Sequence, residues 1–128
     1  MKRIRVTCAI IRFDDKILAV QRSESMKLPL KWEFAGGKIE EGESEVDSIK
    51  REIFEELNIH IEIEKRLTPV IHKYTDFEIE LIPFIAEYIS GELKLIEHLD
   101  FVLANKEDLH KLDWAKADLP ILKQFLEI

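Results

Sequence analysis

The chemistry on offer in this chain is carboxylate chemistry, and it is concentrated. Residues Trp32 to Ile59, WEFAGGKIEEGESEVDSIKREIFEELNI, hold eight Glu and Asp47 in one run. A run of this kind either faces water along a solvated helix or converges on something cationic. The period chooses between them. On a helical wheel of about 100° per residue, Val46, Ile49, Ile53 and Leu57 form one apolar stripe. Glu45, Glu52 and Glu56 line its border, Glu55 and Arg51 lie farther round, and Lys50 and Arg51 point away from that border. Like charges one turn apart cost a helix roughly 0.2–0.5 kcal/mol per pair. Carboxylates beside a buried face also lose hydration unless a cation meets them. A divalent metal satisfies both, since Mg²⁺ takes one or two carboxylates, water and phosphate oxygens. The loop before the helix suits the same ligand. Gly36, Gly37 and Gly42 are expected to allow positive φ and close approach of the backbone, and Lys38 offers a point charge to phosphate.

The elements that must position these groups are mostly strands. RIRVTCAIIRF (3–13) and KILAVQR (16–22) are β-branched, with Asp14–Asp15 as the turn between them, which predicts a hairpin. SESMKLPLK (23–31) is a Pro-bearing loop and WEF (32–34) a short strand. A helix runs from about Ser44 to Leu57. Two alternating segments, 59–75 and 77–90, predict strands about a turn at Thr75–Asp76, and GELKL and HLDFVLA read as further strands. NKEDLHKL predicts a short helix with Asn105 as N-cap, and ADLPILKQFLEI a terminal helix with Asp118 as N-cap and Pro120 in its first turn. The fold class is α+β, a mixed sheet with helices at mid-chain and at the end.

The whole chain bounds the options. Its 128 residues fit one domain, 1–128, and 35% charged with 46% apolar residues describes a folded globular protein. A net charge of -7 speaks against a DNA or RNA partner, which calls for a basic face, yet leaves room for a phosphorylated small molecule bridged by a cation. Cys8 stands alone, so no internal disulfide forms, and its apolar surroundings make it a core residue. The apolar run Val6–Ile11 is too short for a signal peptide or membrane span, so the cytoplasm is the expected location.

The spacing carries a family resemblance. Gly37, five residues, Glu43, seven residues, then REIFEELNI resembles the Nudix box, G-x5-E-x7-R-E-U-x-E-E-x-G-U with U aliphatic; eight of nine fixed positions match. Asn58 stands where the pattern has Gly, and Asn is the next most tolerant residue for a left-handed helix end. WEFAGGKIEEGES, the Glu97–His98 pair and ADLPIL resemble the MutT-like branch, most closely bacterial CTP pyrophosphohydrolases. The resemblance implies an α/β/α sandwich and an Mg²⁺- or Mn²⁺-dependent nucleoside triphosphate pyrophosphohydrolase, monomer or homodimer. It implies Glu52, Glu55, Glu56, Glu97 and the Gly36 carbonyl as metal ligands, with Glu52 orienting or deprotonating water. Arg51 then fixes the box carboxylates, Glu43 ties loop to helix, and Glu97 is an added metal contact or base on a mobile loop. Arg22, Lys38 and Asp118 are implied in substrate binding. An unprotonated Asp118 would only accept hydrogen bonds, which suits N4 of cytosine and favours (d)CTP or modified and oxidised dNTPs. Oxidised guanine, dinucleoside polyphosphates and a binding module without turnover are the alternatives. Glu33, Glu40, Glu41 and Glu45 are left to solvent or support, His98 to the surface or to support behind the site, and Tyr74 and Phe77 to core or sheet surface.

Overall fold

The computed structural model describes residues 1–128. Eight strands form one mixed sheet: β1 (Lys2–Phe13), β2 (Lys16–Gln21), β3 (Trp32–Glu33), β4 (Gly36–Lys38), β5 (His60–Arg66), β6 (Val70–Lys73), β7 (Phe77–Ser90) and β8 (Asp100–Ala104). Helix α1 spans Glu45–Leu57 and α2 Leu119–Leu126. β1 is the spine. It runs parallel to β7 through eleven residue pairs, Lys2↔Phe77 to Arg12↔Glu87. Its other partners are antiparallel, β2 at Phe13↔Lys16 and β4 at Cys8↔Gly36.

Alternation splits the strands between two cores. Cys8, Ile10, Ile17 and Ala19 face one side, with Trp114, Ile121 and Phe125 from the C-terminal segment. Ala9, Ile11, Leu18 and Val20 face the other, with Ile49, Ile53 and Leu57 of α1. Both faces are covered, so the central strands read as continuous apolar runs. The expected α/β/α layering is present.

Several elements differ from expectation in detail. The segment 59–75 is two strands, because β5 pairs with β7 beyond Phe84 and β6 with β7 from Glu78 to Leu81, with Leu67–Pro69 between them. GELKL forms no strand: its backbone instead bonds to the end of α1, Lys94 N–H to the Leu57 carbonyl at 3.0 Å. NKEDLHKL is a 3-10 helix, and Asn105 does not cap it; the Asn105 side chain accepts from Lys16 Nζ at 2.5 Å. Asp118 is no side-chain cap either, because its carboxylate turns inward.

Helix α1 is bounded as its sequence dictates. Ser44 Oγ accepts the Asp47 N–H at 3.0 Å, and Asn58 closes the helix in the left-handed region at φ 61°. Ile49, Ile53 and Leu57 are fully buried, but Val46 is 37% exposed. The buried face is rotated toward Ser48 and Glu56, which leaves Val46 on its margin.

Candidate active site

Arg51 organises the carboxylates. Its Nε donates to Glu43 Oε2 at 2.5 Å, and its Nη1 lies 2.9 Å from both Glu52 Oε1 and Glu55 Oε1. Nη2 donates to Glu43 Oε1 and to the Lys38 carbonyl, at 3.0 and 3.1 Å. The wheel places Arg51 away from this border, but a long side chain with five donors reaches back across it. The hydrogen bonds from Arg51 hold the Glu43 carboxyl down at about 2. Glu43 also accepts the Glu40 N–H at 2.9 Å, tying the loop to the helix. Glu45 lies outside this group and pairs with Arg66 at 2.8 Å and Arg5 at 2.7 Å.

Gly36 and Gly37 serve closeness, and Gly42 serves positive φ. A Cβ on Gly36 would lie 1.9 Å from the Thr7 carbonyl oxygen, and one on Gly37 would strike the Glu52 carboxylate. Only Gly42, of the three, has positive φ, at 81°.

Glu56 is the carboxylate that no cation meets. It is 5% exposed, and its Oε2 is buried without a partner. Burial, then the charges of Glu52, Glu97 and Glu33, push its carboxyl far enough above the usual range to keep it protonated at neutral pH. Glu56 opens on a cleft of about 460 Å³ whose walls include Gly36, Lys38, Glu97, Glu33, Arg22, Tyr74, Phe77 and Asp118. The structure thus brings Glu56, Glu97, Gly36, Lys38, Arg22 and Asp118 to one cavity, with Glu52 behind Gly37 and Glu55 on the exposed side of α1.

Glu33 is the cleft residue that sequence reasoning left to solvent or support. It lines the cleft, accepting from Arg22 Nη1 at 2.7 Å and facing His98 Nε2 at 2.8 Å. The available signal was a Glu inside WEF, between two aromatics that both turn inward. Arg22 is therefore held by Glu33 and by the Lys27 carbonyl at 2.5 Å. His98 is buried, not at the surface. The loop carrying Glu97 is pinned on both sides, by Ile96 N–H to the Glu56 carbonyl and Leu99 N–H to the Gln21 carbonyl, at 3.2 and 3.0 Å. Tyr74 and Phe77 stack with centroids 4.8 Å apart and form a cleft wall, where the sequence suggested core or sheet surface. Cys8 is buried in the cleft floor, a core residue as expected.

Asp118 lines the same cleft from the C-terminal segment. The segment before it is fastened to β3 through Trp32 N–H to the Asp113 carbonyl and Ala115 N–H to the Trp32 carbonyl, each 2.9 Å. Asp118 Oδ2 accepts the Phe34 N–H at 2.9 Å. Burial pushes the carboxyl up to about 8, so at neutral pH it carries a proton. The expectation of a pure acceptor is corrected: Asp118 also has an O–H to donate.

A mixed sheet between helices, with a glycine loop and an arginine-clamped acidic helix beneath a cleft, defines the class. Residues 6–124 match the NUDIX domain model, and the chain belongs to the Nudix family. It is 34% identical over 128 residues to the CTP pyrophosphohydrolase of Escherichia coli (strain K12), covering all of this chain and 95% of that one. The solution structure of the E. coli ORF135 protein matches it with a TM-score of 0.88 at 33% identity, over 99% of this chain and 91% of that one. The crystal structure of a MutT NUDIX hydrolase from Burkholderia pseudomallei gives 0.86 at 25% identity, over 97% and 98%. The chain is thus a Nudix hydrolase with MutT-like neighbours.

The donor set fits a divalent cation. Hard oxygen donors lie about Glu56, whose carboxyl is raised by burial and then by its acidic neighbours Glu52, Glu97 and Glu33. The side chains form no closed set of three ligands, because Arg51 engages Glu52 and Glu55.

Proposed function

We propose that this Nudix hydrolase is an Mg²⁺-dependent nucleoside triphosphate pyrophosphohydrolase, accepting Mn²⁺ in its place, that releases a nucleoside monophosphate and pyrophosphate. The observation that carries this is that Glu56, Glu97 and Asp118 line one and the same cleft. It offers cation-seeking carboxylates for phosphates and a polar group with aromatic walls for a base. Glu52, Glu55, Glu56, Glu97 and the Gly36 carbonyl would hold the cation, which supplies charge neutralisation on the phosphates and acidifies the attacking water. Glu52 takes the proton from that water as it adds across the phosphoanhydride bond, and Arg51 keeps the Glu52 carboxylate aimed. Lys38, at the mouth, meets phosphate charge. Arg22 acts on the substrate side chiefly by holding Glu33 and the loop through Lys27.

For the base, (d)CTP and modified or oxidised dNTPs are favoured, supported by likeness to the E. coli CTP pyrophosphohydrolase. Protonated Asp118 can donate to N3 of cytosine, and Tyr74 and Phe77 offer a stacking wall. Oxidised guanine is the competing base, because Asp118 pairs donor with acceptor and the neighbours include MutT proteins.

The test is pyrophosphate release from CTP, dCTP, 5-methyl-dCTP, 8-oxo-dGTP and dinucleoside polyphosphates with Mg²⁺. Release from CTP or dCTP is expected to lead. No release from any of them rejects the hydrolase assignment. Glu52→Gln should abolish turnover in a folded protein, and Asp118→Asn should reorder cytosine against oxidised guanine.

A further inference from the structure

His98 lies buried between Glu33 and Glu56, two residues that line the cleft. Its side chain is fully buried, with Nε2 2.8 Å from Glu33 Oε2 and Nδ1 3.8 Å from Glu56 Oε1. Glu33 continues to Arg22 at 2.7 Å, and Arg22 to the Lys27 carbonyl. One imidazole thus touches β3 and faces α1, which the function proposed above gives to the nucleoside and to the phosphates. A carboxylate accepts, so Nε2 carries the hydrogen toward Glu33 and Nδ1 turns to Glu56. Nδ1 and Glu56 Oε2 are both buried without partners. A histidine kept only for packing would not need both nitrogens aimed at acids on different elements, since a buried polar atom without a partner is costly.

We propose that His98 is a positioning residue that sets Glu33, and through it Arg22, at a fixed distance from Glu56, so that the residues given to the nucleoside and to the phosphates act as one site. The proposal rests on the hydrolase assignment above, and its test separates the two. It needs three variants and two binding measurements besides turnover. His98→Gln keeps an N–H near the Nε2 position and loses the atom facing Glu56. His98→Asn keeps a polar atom near Nδ1 and loses the Glu33 contact. His98→Leu loses both.

Binding of cytidine or guanosine monophosphate, whichever wild type binds more tightly, is measured by calorimetry in EDTA. Binding of Mn²⁺ alone is measured by electron paramagnetic resonance. Loss of the hydrogen bond to Glu33 predicts a fall of about tenfold in nucleotide affinity, and loss of the polar atom facing buried Glu56 a fall of similar size in Mn²⁺ affinity. The leucine variant should lose about tenfold in both, glutamine should recover nucleotide binding alone, and asparagine Mn²⁺ binding alone. In turnover, KM should rise for asparagine and kcat should fall for glutamine. Variants that lose only melting temperature, with both affinities within about twofold of wild type, overturn the proposal. So do affinities that fall together in all three, or a wild type that binds neither monophosphate. Absent turnover in wild type overturns the hydrolase assignment, while the two binding constants still decide the role of His98.

Discussion

Gly37 and Glu52 are so close that a Cβ on the glycine would lie 2.3 Å from Glu52 Oε2. The atom it meets is the end of a flexible side chain, so Gly37→Ala can be accommodated by moving the carboxylate. The fold should survive, with stability within about 1 kcal/mol of wild type. Turnover should fall at least about tenfold, a barrier increase of about 1.4 kcal/mol. Gly36→Ala instead drives a methyl into the Thr7 backbone and should cost the fold itself. Parallel urea titrations and pyrophosphate assays check the contrast; two variants with the same profile would contradict it.

Glu56 predicts a thermal response to metal that needs no substrate. A cation that binds only the folded chain stabilises it, by about 2.7 kcal/mol at a hundred times its dissociation constant. The melting temperature should rise with Mn²⁺ or Mg²⁺ and return with EDTA. Glu56→Gln, uncharged and similar in shape, should fold well and lose the rise. A variant that keeps the full shift would remove Glu56 from the cation site.

Asp118 predicts a pH dependence of stability with a definite sign. Its carboxyl goes from an ordinary 3.8 to about 8 in the fold. The folded state therefore binds the proton more tightly than the unfolded chain. The stability this supplies is complete below about pH 4, declines as pH rises, and is gone above about 8. Asparagine keeps the acceptor for Phe34 N–H and does not titrate. Relative to wild type, Asp118→Asn should gain at least about 1 kcal/mol between pH 5 and pH 8. Urea unfolding at the two pH values measures it, and a constant difference would place Asp118 in its ordinary range.

Asn58 departs from the family pattern and has acquired its own contact, Nδ2 donating to the Glu92 carbonyl at 3.0 Å. Asn58→Gly relieves the left-handed backbone but releases that contact, so the two effects should nearly cancel in stability. Asn58→Ala relieves nothing and should cost about 1–2 kcal/mol. Chemical denaturation of both variants checks the ordering.

The box helix was legible because its spacing is local: Ser44, Ile49, Ile53, Leu57 and Asn58 specify its start, face and end within fifteen positions. The sheet's alternation also shows in Cys8–Ile11 and Ile17–Val20. What stayed hidden depends on contacts far along the chain. Glu33 looks like a solvent acid until Arg22 and His98 surround it. Asp118 looks like a helix cap until the Phe34 N–H claims its oxygen from 84 positions away. Burial then reverses its protonation, which no spacing expresses. Arg51 was misdirected by the wheel, since an angle at Cα does not say where a guanidinium ends.

The parallel pairing of β1 with β7 has a consequence for synthesis. Partners along it are about seventy-five positions apart, Lys2 with Phe77 and Arg12 with Glu87. Contacts so distant close slowly. On the ribosome, the central strand β1 is made before β7 and must wait, one edge open, until Ser90 has emerged. A nascent chain stalled before Phe77 exposes an unpaired strand edge, the kind of surface that aggregates or recruits a chaperone.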